Sequence, residues 1–453
     1  MPSANCRGPI HRREFLRIGS LALGGLTLPG LLQARAAAGK SSPKSVILFW
    51  MWGGPSQLET WDCKPDAPSE YRGPLRPIHS TVPGLDVCEV FPLQAKLGHR
   101  ISLIRSLHHN MASHNDGSIE LLTGKTPVKE DPTSTAKSDH PDFGMIASHL
   151  RGNTASGLPG YVGIPRVPFM VQPTYLGMTH AGFSAGNPAV PKFKPPNLTL
   201  DAGINGQRLD DRRSLVAQLD RYRRAQDLHG AVAATDAFRQ QAFQLLTSTA
   251  VADAFALDDE QDGTRERYGR HLWGQSCLLA RRLAEAGVSV ITIDALSPDS
   301  TNPIYFSWDD HSNPATGWNL EGAMRWRAPF MDQGLSALIE DLYDRGLDDQ
   351  VMVVAVGEFG RTPRLASPQG VLGRDHWPAA QSALVSGGGL RMGQVIGATT
   401  SKAEYPVERP LTPQDLLATI YRHLGIDPHA TIADFTGRPQ HILSSGEAIR
   451  ELI

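Results

Sequence analysis

Cysteine is scarce in this chain: 453 residues hold 4, and one of them, Cys6, lies in the N-terminal segment. The other three, Cys63, Cys88 and Cys277, cannot all pair with one another, and their spacing is not that of a zinc site. Cys63 with Cys88 is the pairing open in an oxidising compartment, while Cys277 sits on an apolar helical face and reads as core. Charge of one sign is missing too. A formal net charge of −2 at pH 7 leaves no basic footprint for nucleic acid. Beyond residue 40 no apolar run is long enough to cross a bilayer. A Gly-x-Ser-x-Gly elbow, a Walker loop and a Gly-x-Gly-x-x-Gly turn after a strand are all absent. Acyl transfer, nucleotide hydrolysis and dinucleotide chemistry are therefore disfavoured. The chain has no internal repeat.

The first forty residues are separate from the fold. His11-Arg12-Arg13-Glu14-Phe15-Leu16-Arg17 is a basic region, Ile18 to Leu32 is apolar and glycine-rich, and Ala34-Arg35-Ala36 offers a small-x-small cleavage site. The arginine pair followed by Phe-Leu resembles a twin-arginine export signal, which implies a periplasmic or secreted protein, exported already folded. Residues 1–40 are thus expected to be a signal segment and 41–453 one large α/β domain, since such folds run to this length as a unit.

Ser45 to Met51, Ile101 to Ile104, Val288 to Asp294, Val351 to Val356 and Ser382 to Ser386 read as buried strands. Arg212 to Leu228, Ala234 to Leu246, Arg265 to Ala286 and Arg325 to Arg345 show apolar positions at helical spacing. Of these, 208–287 reads as a helical insert or a helical layer. Thr412-Pro413-Gln414-Asp415 caps a last helix to Leu424. The Pro/Gly-rich stretch from Gly157 to Leu200 reads as a long wrapping loop. Strands alternating with helices predict a mostly parallel sheet covered on both faces.

Four polar clusters follow probable strands. Gly357-Glu358-Phe359-Gly360-Arg361-Thr362-Pro363 directly continues a buried strand, and Gly373-Arg374-Asp375-His376-Trp377-Pro378 returns one loop later. In open α/β sheets ligands bind where strands end, and the Arg361 fork suits phosphate, sulfate or carboxylate. Gly53-Gly54-Pro55-Ser56-Gln57 follows the first strand, and its amides can cradle an anion. His108-His109 and His114-Asn115-Asp116 bring imidazoles close in sequence. Asp309 and His311, two apart, point the same way on an extended segment and can share one cation. Their hard oxygen plus imidazole suits Zn, Mn or Fe.

Together with Leu121-Leu122-Thr123-Gly124, Tyr268-Gly269, Leu279 to Val288 and Trp308-Asp309-Asp310-His311, these motifs resemble the domain-of-unknown-function family 1501. That family is related to sulfatases within the alkaline-phosphatase superfamily. The resemblance covers nearly all of the chain beyond the signal and implies an alkaline-phosphatase/sulfatase-like α/β sandwich with metal ligands at strand ends and a nucleophile at a helix start. Counting back from Leu121 to Gly124 puts His114 at the nucleophile's place. Asp309 and His311 match the superfamily's metal segment, and His376 its last metal-binding histidine. Glu358 stands where an Asp-His pair begins, but Phe359 replaces the histidine, and Met51-Trp52 replace a strand-end aspartate. An imidazole cannot become formylglycine, so sulfatase activity does not simply transfer.

What the resemblance implies is one divalent metal (Zn, Mn or Ca) held by Asp309, His311 and His376, with Glu358 and Asp375 as further candidate ligands. His114, Glu358 and Arg361 become candidate catalytic residues, and Gly54, Ser56, Gln57, Arg361 and Arg374 candidate substrate contacts. The expected activity is hydrolysis of a sulfate or phosphate ester, on a sulfated or phosphorylated glycan. The alternative is a catalytically degenerate sulfatase-like binding protein in an extracytoplasmic complex.

Overall fold

Runs of Val, Ile, Leu and Phe with no polar face suit strands covered on both sides, and in the computed structural model they occupy the middle of one sheet. The structure describes residues 44–453 apart from 197, 199–242, 244, 300, 301 and 303. The signal-like segment with Cys6, the predicted helix Arg212 to Leu228 and nearly all of Ala234 to Leu246 lie outside the described residues.

In chain order the strands used below are β1 (Ser45–Trp50), β2 (Ile101–Leu107), β3 (Tyr161–Ile164), β4 (Phe183–Ser184), β5 (Val290–Asp294) and β6 (Val351–Val356). They continue with β7 (Gly360–Arg361), β8 (His376–Trp377), β9 (Gln381–Gly387) and β10 (Val395–Ile396). Eight of them form the main sheet in the order β10-β2-β9-β6-β1-β5-β3-β4, and β7 and β8 pair as a separate ribbon. Within the main sheet pairing is parallel except at β9, which runs antiparallel to β2 and β6; the β7–β8 ribbon is antiparallel.

Successive side chains of a strand face opposite sides, so β1 divides the core. Ile47 and Phe49 join one apolar cluster, with α3 (Leu272–Glu285) and α4 (Leu320–Asp344). Val46, Leu48 and Trp50 join the other, with α1 (His114–Thr123), α2 (Phe143–Arg151) and α5 (Pro413–Leu424). The result is a three-layer α/β/α sandwich, and Cys277 is buried in the first cluster. Trp50 is level with both Asp294 and Val356, so β1, β5 and β6 release their chains side by side at one edge.

Two local expectations differ from what is observed. The Pro/Gly-rich stretch contributes β3 and β4; these strands are too short, and too closely flanked by proline and glycine, to show a periodic signal. The helix expected from Arg265 to Ala286 is two helices, Asp262–Tyr268 and α3. His271 sits between them in extended conformation and caps α3, its side chain accepting from the Gly274 amide.

Candidate metal centre

Side chains from four places meet where β1, β5 and β6 end. His114 is the first residue of α1, Glu358 and Arg361 follow β6, Asp309 and His311 lie in the loop before α4, and His376 opens β8. Asp309 is the hub. Its Oδ2 lies 3.3 Å from His114 Nε2, and its Oδ1 lies 3.1 Å from His311 Nε2 and 3.3 Å from His376 Nε2. Arg361 Nη2 approaches the same Oδ1 at 2.5 Å.

The outer nitrogens of the three imidazoles decide what the inner ones can do. His114 Nδ1 is 2.7 Å from Glu358 Oε1, His311 Nδ1 is 2.8 Å from Asp375 Oδ1, and His376 Nδ1 is 2.7 Å from the Ala112 carbonyl. These partners only accept, so each Nδ1 carries the hydrogen and each neutral ring turns an Nε2 lone pair inward. His311 Nε2 and His376 Nε2 face each other at 3.0 Å, where two bare lone pairs repel unless a proton or a cation lies between them. Metal-ligating histidines are held in this way, their second nitrogen donating to a carboxylate or carbonyl. Two ligand atoms about 2.1 Å from one tetrahedral ion lie roughly 3.4 Å apart, close to the separations of His114 from Asp309 Oδ2 and of His376 from Asp309 Oδ1, one through each carboxylate oxygen. The ligand atoms of His114, Asp309 and His376 all fall within 4.8 Å of one another. The donor set fits a divalent ion.

Without an ion the same groups hold protons. Burial lowers the pKa of His114, but hydrogen bonds to Asp309 and Glu358 outweigh it and lift the imidazole to about 9. The hydrogen bond to Asp309 also raises His311, whereas burial leaves His376 lowered. Burial alone would raise Asp309; its bonds to the three histidines and the Arg361 charge hold it far below the ordinary carboxylate range. His311 is then the donor to His376.

Behind this ring lies a buried wall. The Glu358 carboxylate accepts the Gly53 amide at 2.8 and 3.1 Å as well as His114. The glycine turn after β1 does cradle an anion, then, and that anion is the protein's own. Arg361 donates Nε to the Gly54 carbonyl (2.8 Å), Nη1 to the Arg374 carbonyl (3.1 Å), and Nη2 to the Gly53 carbonyl and Asp309. Gln57 clamps the Arg361 backbone, accepting its amide at 2.8 Å and donating to its carbonyl at 2.9 Å. Arg374 forks onto Glu59 at 2.7 and 3.0 Å, and Ser56 donates to that same glutamate. Gly54, Ser56, Gln57, Arg361 and Arg374, expected to touch substrate, thus interlock with one another and the backbone. Asp375, expected near the metal, lies on the far side of His311 and is 68% exposed.

His109, singled out with His108 in the sequence, and two aromatic side chains support the ring without being ligands. His109 accepts the Met111 amide at Nδ1 (3.1 Å) and donates Nε2–H to the Glu358 carbonyl (2.6 Å); burial lowers its pKa to about 4, so it stays neutral. Trp52 stacks on His114 (5.2 Å between centroids, 25°), and Phe359 lies on another side at 5.3 Å. The aromatic character of both positions was the available signal.

Among solved structures, the chain is similar to the lipoteichoic acid synthase LtaP from Listeria monocytogenes, at 13% identity over 90% of this chain and 76% of that one, with a TM-score of 0.38. It is similar to the PsFucS1 sulfatase from Pseudoalteromonas sp. at 11% identity, covering 92% of this chain and 72% of that one, TM-score 0.33. For the phosphonate monoester hydrolase SpPMH from Silicibacter pomeroyi the figures are 12%, 89%, 75% and 0.32. No curated protein matches. A family model described as "Protein of unknown function (DUF1501)" matches residues 43–453, and the chain belongs to that family.

Proposed function

We propose that this protein is an exported hydrolase of anionic esters, sulfate or phosphate, that works through one divalent metal bound at Asp309. The observation carrying this reading is the convergence of three Nε2 atoms on Asp309, each ring anchored from behind through Nδ1. We assign His114, Asp309 and His376 as ligands. Three protein ligands with one open position is the pattern of catalytic rather than structural sites. Oxygen plus imidazole donors suit Zn or Mn. The ion would polarise an ester oxygen and lower the pKa of a water molecule.

The remaining side chains then have separate tasks. His311 stands on the open side, 38% exposed, with Asp375 behind it. Its Nε2 is the atom that takes a proton from attacking water or returns one to the leaving oxygen. The sequence expectation gave that work to His114. However, His114 is walled in by Trp52 and Phe359, which favours it as a ligand. Glu358 fixes the His114 ring, and Arg361 orients Asp309 and offsets its charge. No described helix is long and apolar enough to cross a membrane; the resemblance of residues 11–17 to a twin-arginine signal supports an activity outside the cytoplasm.

The test is elemental analysis of the protein made through its own export route, followed by turnover on sulfate ester, phosphate monoester and phosphodiester substrates. Stoichiometric metal and hydrolysis of one class are expected, and His376→Ala should lose both. Full metal occupancy in His376→Ala would refute the ligand assignment. Metal with no turnover on any class would leave the binding-protein reading, which the engagement of Arg361 by three backbone carbonyls and Asp309 favours.

A further inference from the structure

Because β1, β5 and β3 are parallel neighbours, the residues just past their ends share the edge that holds the metal centre. Trp52 follows β1, Asp294 ends β5, and Arg166 and Phe169 follow β3. Arg166 Nε donates to Asp294 Oδ2 at 2.8 Å; the aspartate is 5% exposed and the arginine 49%. Among the described residues neither Arg166 Nη has a hydrogen-bond partner. A buried carboxylate therefore grips one side of the guanidinium and leaves its outer edge facing solvent. Ion pairs of this kind contribute little net stability, so the arrangement is better explained by what it presents.

Three residues further along the same segment, Phe169 continues a series of aromatic side chains that leads out from the centre. Trp52 stacks on His114 at 5.2 Å, and Phe169 lies 6.3 Å from Trp52, tilted by 58°. Phe169 is 40% exposed. Lys137 Nζ donates to the Phe169 carbonyl at 2.6 Å and stands 5.8 Å from the ring centroid. Aromatic faces suit the apolar face of a sugar ring, and a held guanidinium fork suits a carboxylate or sulfate on its edge.

We propose that Trp52, Phe169 and Arg166 form a subsite for a sugar ring that bears an acidic group, next to the metal centre. The proposal rests on the reading of that centre as an ester hydrolase and names its substrate class: acidic glycans whose charged ring neighbours the ester being cut.

Calorimetry on chelator-treated protein tests the subsite independently of metal. The probes are an unsulfated chondroitin disaccharide, its 4-sulfated form and neutral lactose. At least the 4-sulfated disaccharide should bind tenfold or more tighter than lactose; equal affinity of the two acidic probes would identify the shared carboxylate as the group read, and tight binding of the 4-sulfated form alone the sulfate. Replacing Arg166→Ala together with Asp294→Asn removes the fork without stranding a buried carboxylate, and should bring the acidic probes to the lactose level. Phe169→Ala should weaken all three sugars. Equal binding of lactose and the acidic probes, wild-type affinity in the double variant, or no sugar binding by the wild-type protein would each overturn the proposal. A wild-type protein that binds acidic sugar yet turns over no ester overturns the hydrolase reading alone. One that hydrolyses small esters and ignores these sugars overturns the subsite alone.

Discussion

Replacing Glu358→Gln separates two roles that its position allows, ligand and positioning residue. The side chain is fully buried and accepts the Gly53 amide at 2.8 and 3.1 Å and His114 Nδ1–H at 2.7 Å. Glutamine offers one oxygen where the carboxylate offers two. If that oxygen serves His114, its amide hydrogens confront the Gly53 N–H, leaving a buried donor unsatisfied at about 1–3 kcal/mol. If it serves Gly53, the amide hydrogens confront His114 Nδ1–H instead. The ring then favours the tautomer with its proton on Nε2 and withdraws a lone pair from the centre. Losing such a partner behind a ligand weakens metal binding 10–100-fold, about 1.4–2.7 kcal/mol. Competition against a chromophoric chelator at fixed pH measures the change. A metal dissociation constant within twofold of wild type would show that Glu358 does not position His114. A loss as complete as that of His376→Ala would make Glu358 itself a ligand.

Two further predictions concern the scaffold. Asp142 caps α2, accepting the Met145 amide at 2.7 Å and the Tyr161 hydroxyl at 3.0 Å, and burial raises its pKa from 3.8 to about 7. The folded state therefore binds a proton that the unfolded state has already released, so this group's stabilisation is complete below about pH 4 and is lost as pH rises through 7. That is on the order of 4 kcal/mol. Asp142→Asn keeps the Met145 bond through Oδ1 and reverses the Tyr161 bond, the amide now donating to the hydroxyl, and should flatten the urea-midpoint slope between pH 4 and 7 in metal-free protein; an unchanged slope contradicts the assignment. Cys63 and Cys88 are free, with their thiols in hydrogen-bonding contact and the Cys88 amide on the Thr60 carbonyl at 2.8 Å. After export they should be oxidised to a disulfide, stabilising the fold by about 3–4 kcal/mol through loop closure. Labelling of the denatured mature protein should find Cys277 alone, and three reactive thiols would rule the bond out.

The sheet was legible because its central strands are continuous apolar runs: Val351 to Val356 was read to its limits, and β1 to within one residue. Its last two strands were not, since Tyr161–Ile164 and Phe183–Ser184 are too short to be separated from the prolines and glycines around them. At the centre, chemistry was easier to read than geometry. Asp309, His311 and His376 carried ligand chemistry in the sequence, and they meet. Nothing local said that the carbonyls of Gly53 and Gly54 would occupy the Arg361 fork, because that pairing joins segments some three hundred residues apart. Arg166 was hidden for the same reason: its significance comes from Asp294, on a strand distant in sequence.

The turn after β1 shows how the centre retains its charge without a strand-end aspartate. Gly53 and Gly54 have φ of +112° and +74°, and a Cβ on Gly53 would come within 2.6 Å of the Asp309 amide nitrogen. Only glycine lets this backbone pass beneath the loop that carries Asp309. In return it gives an amide to Glu358 and carbonyls to Arg361. The carboxylate missing from the strand end thus reappears one shell outward, acting through His114 rather than on an ion directly. With neutral imidazoles, Asp309 and Glu358 against Arg361 leave a charge of −1 around the hub. A divalent ion turns that to +1, and so do two protons on His114 and His311. Ion and protons would thus be electrostatic substitutes at this cluster. Under the proposed function only the ion would keep His311 neutral and able to accept a proton, so turnover should depend on metal.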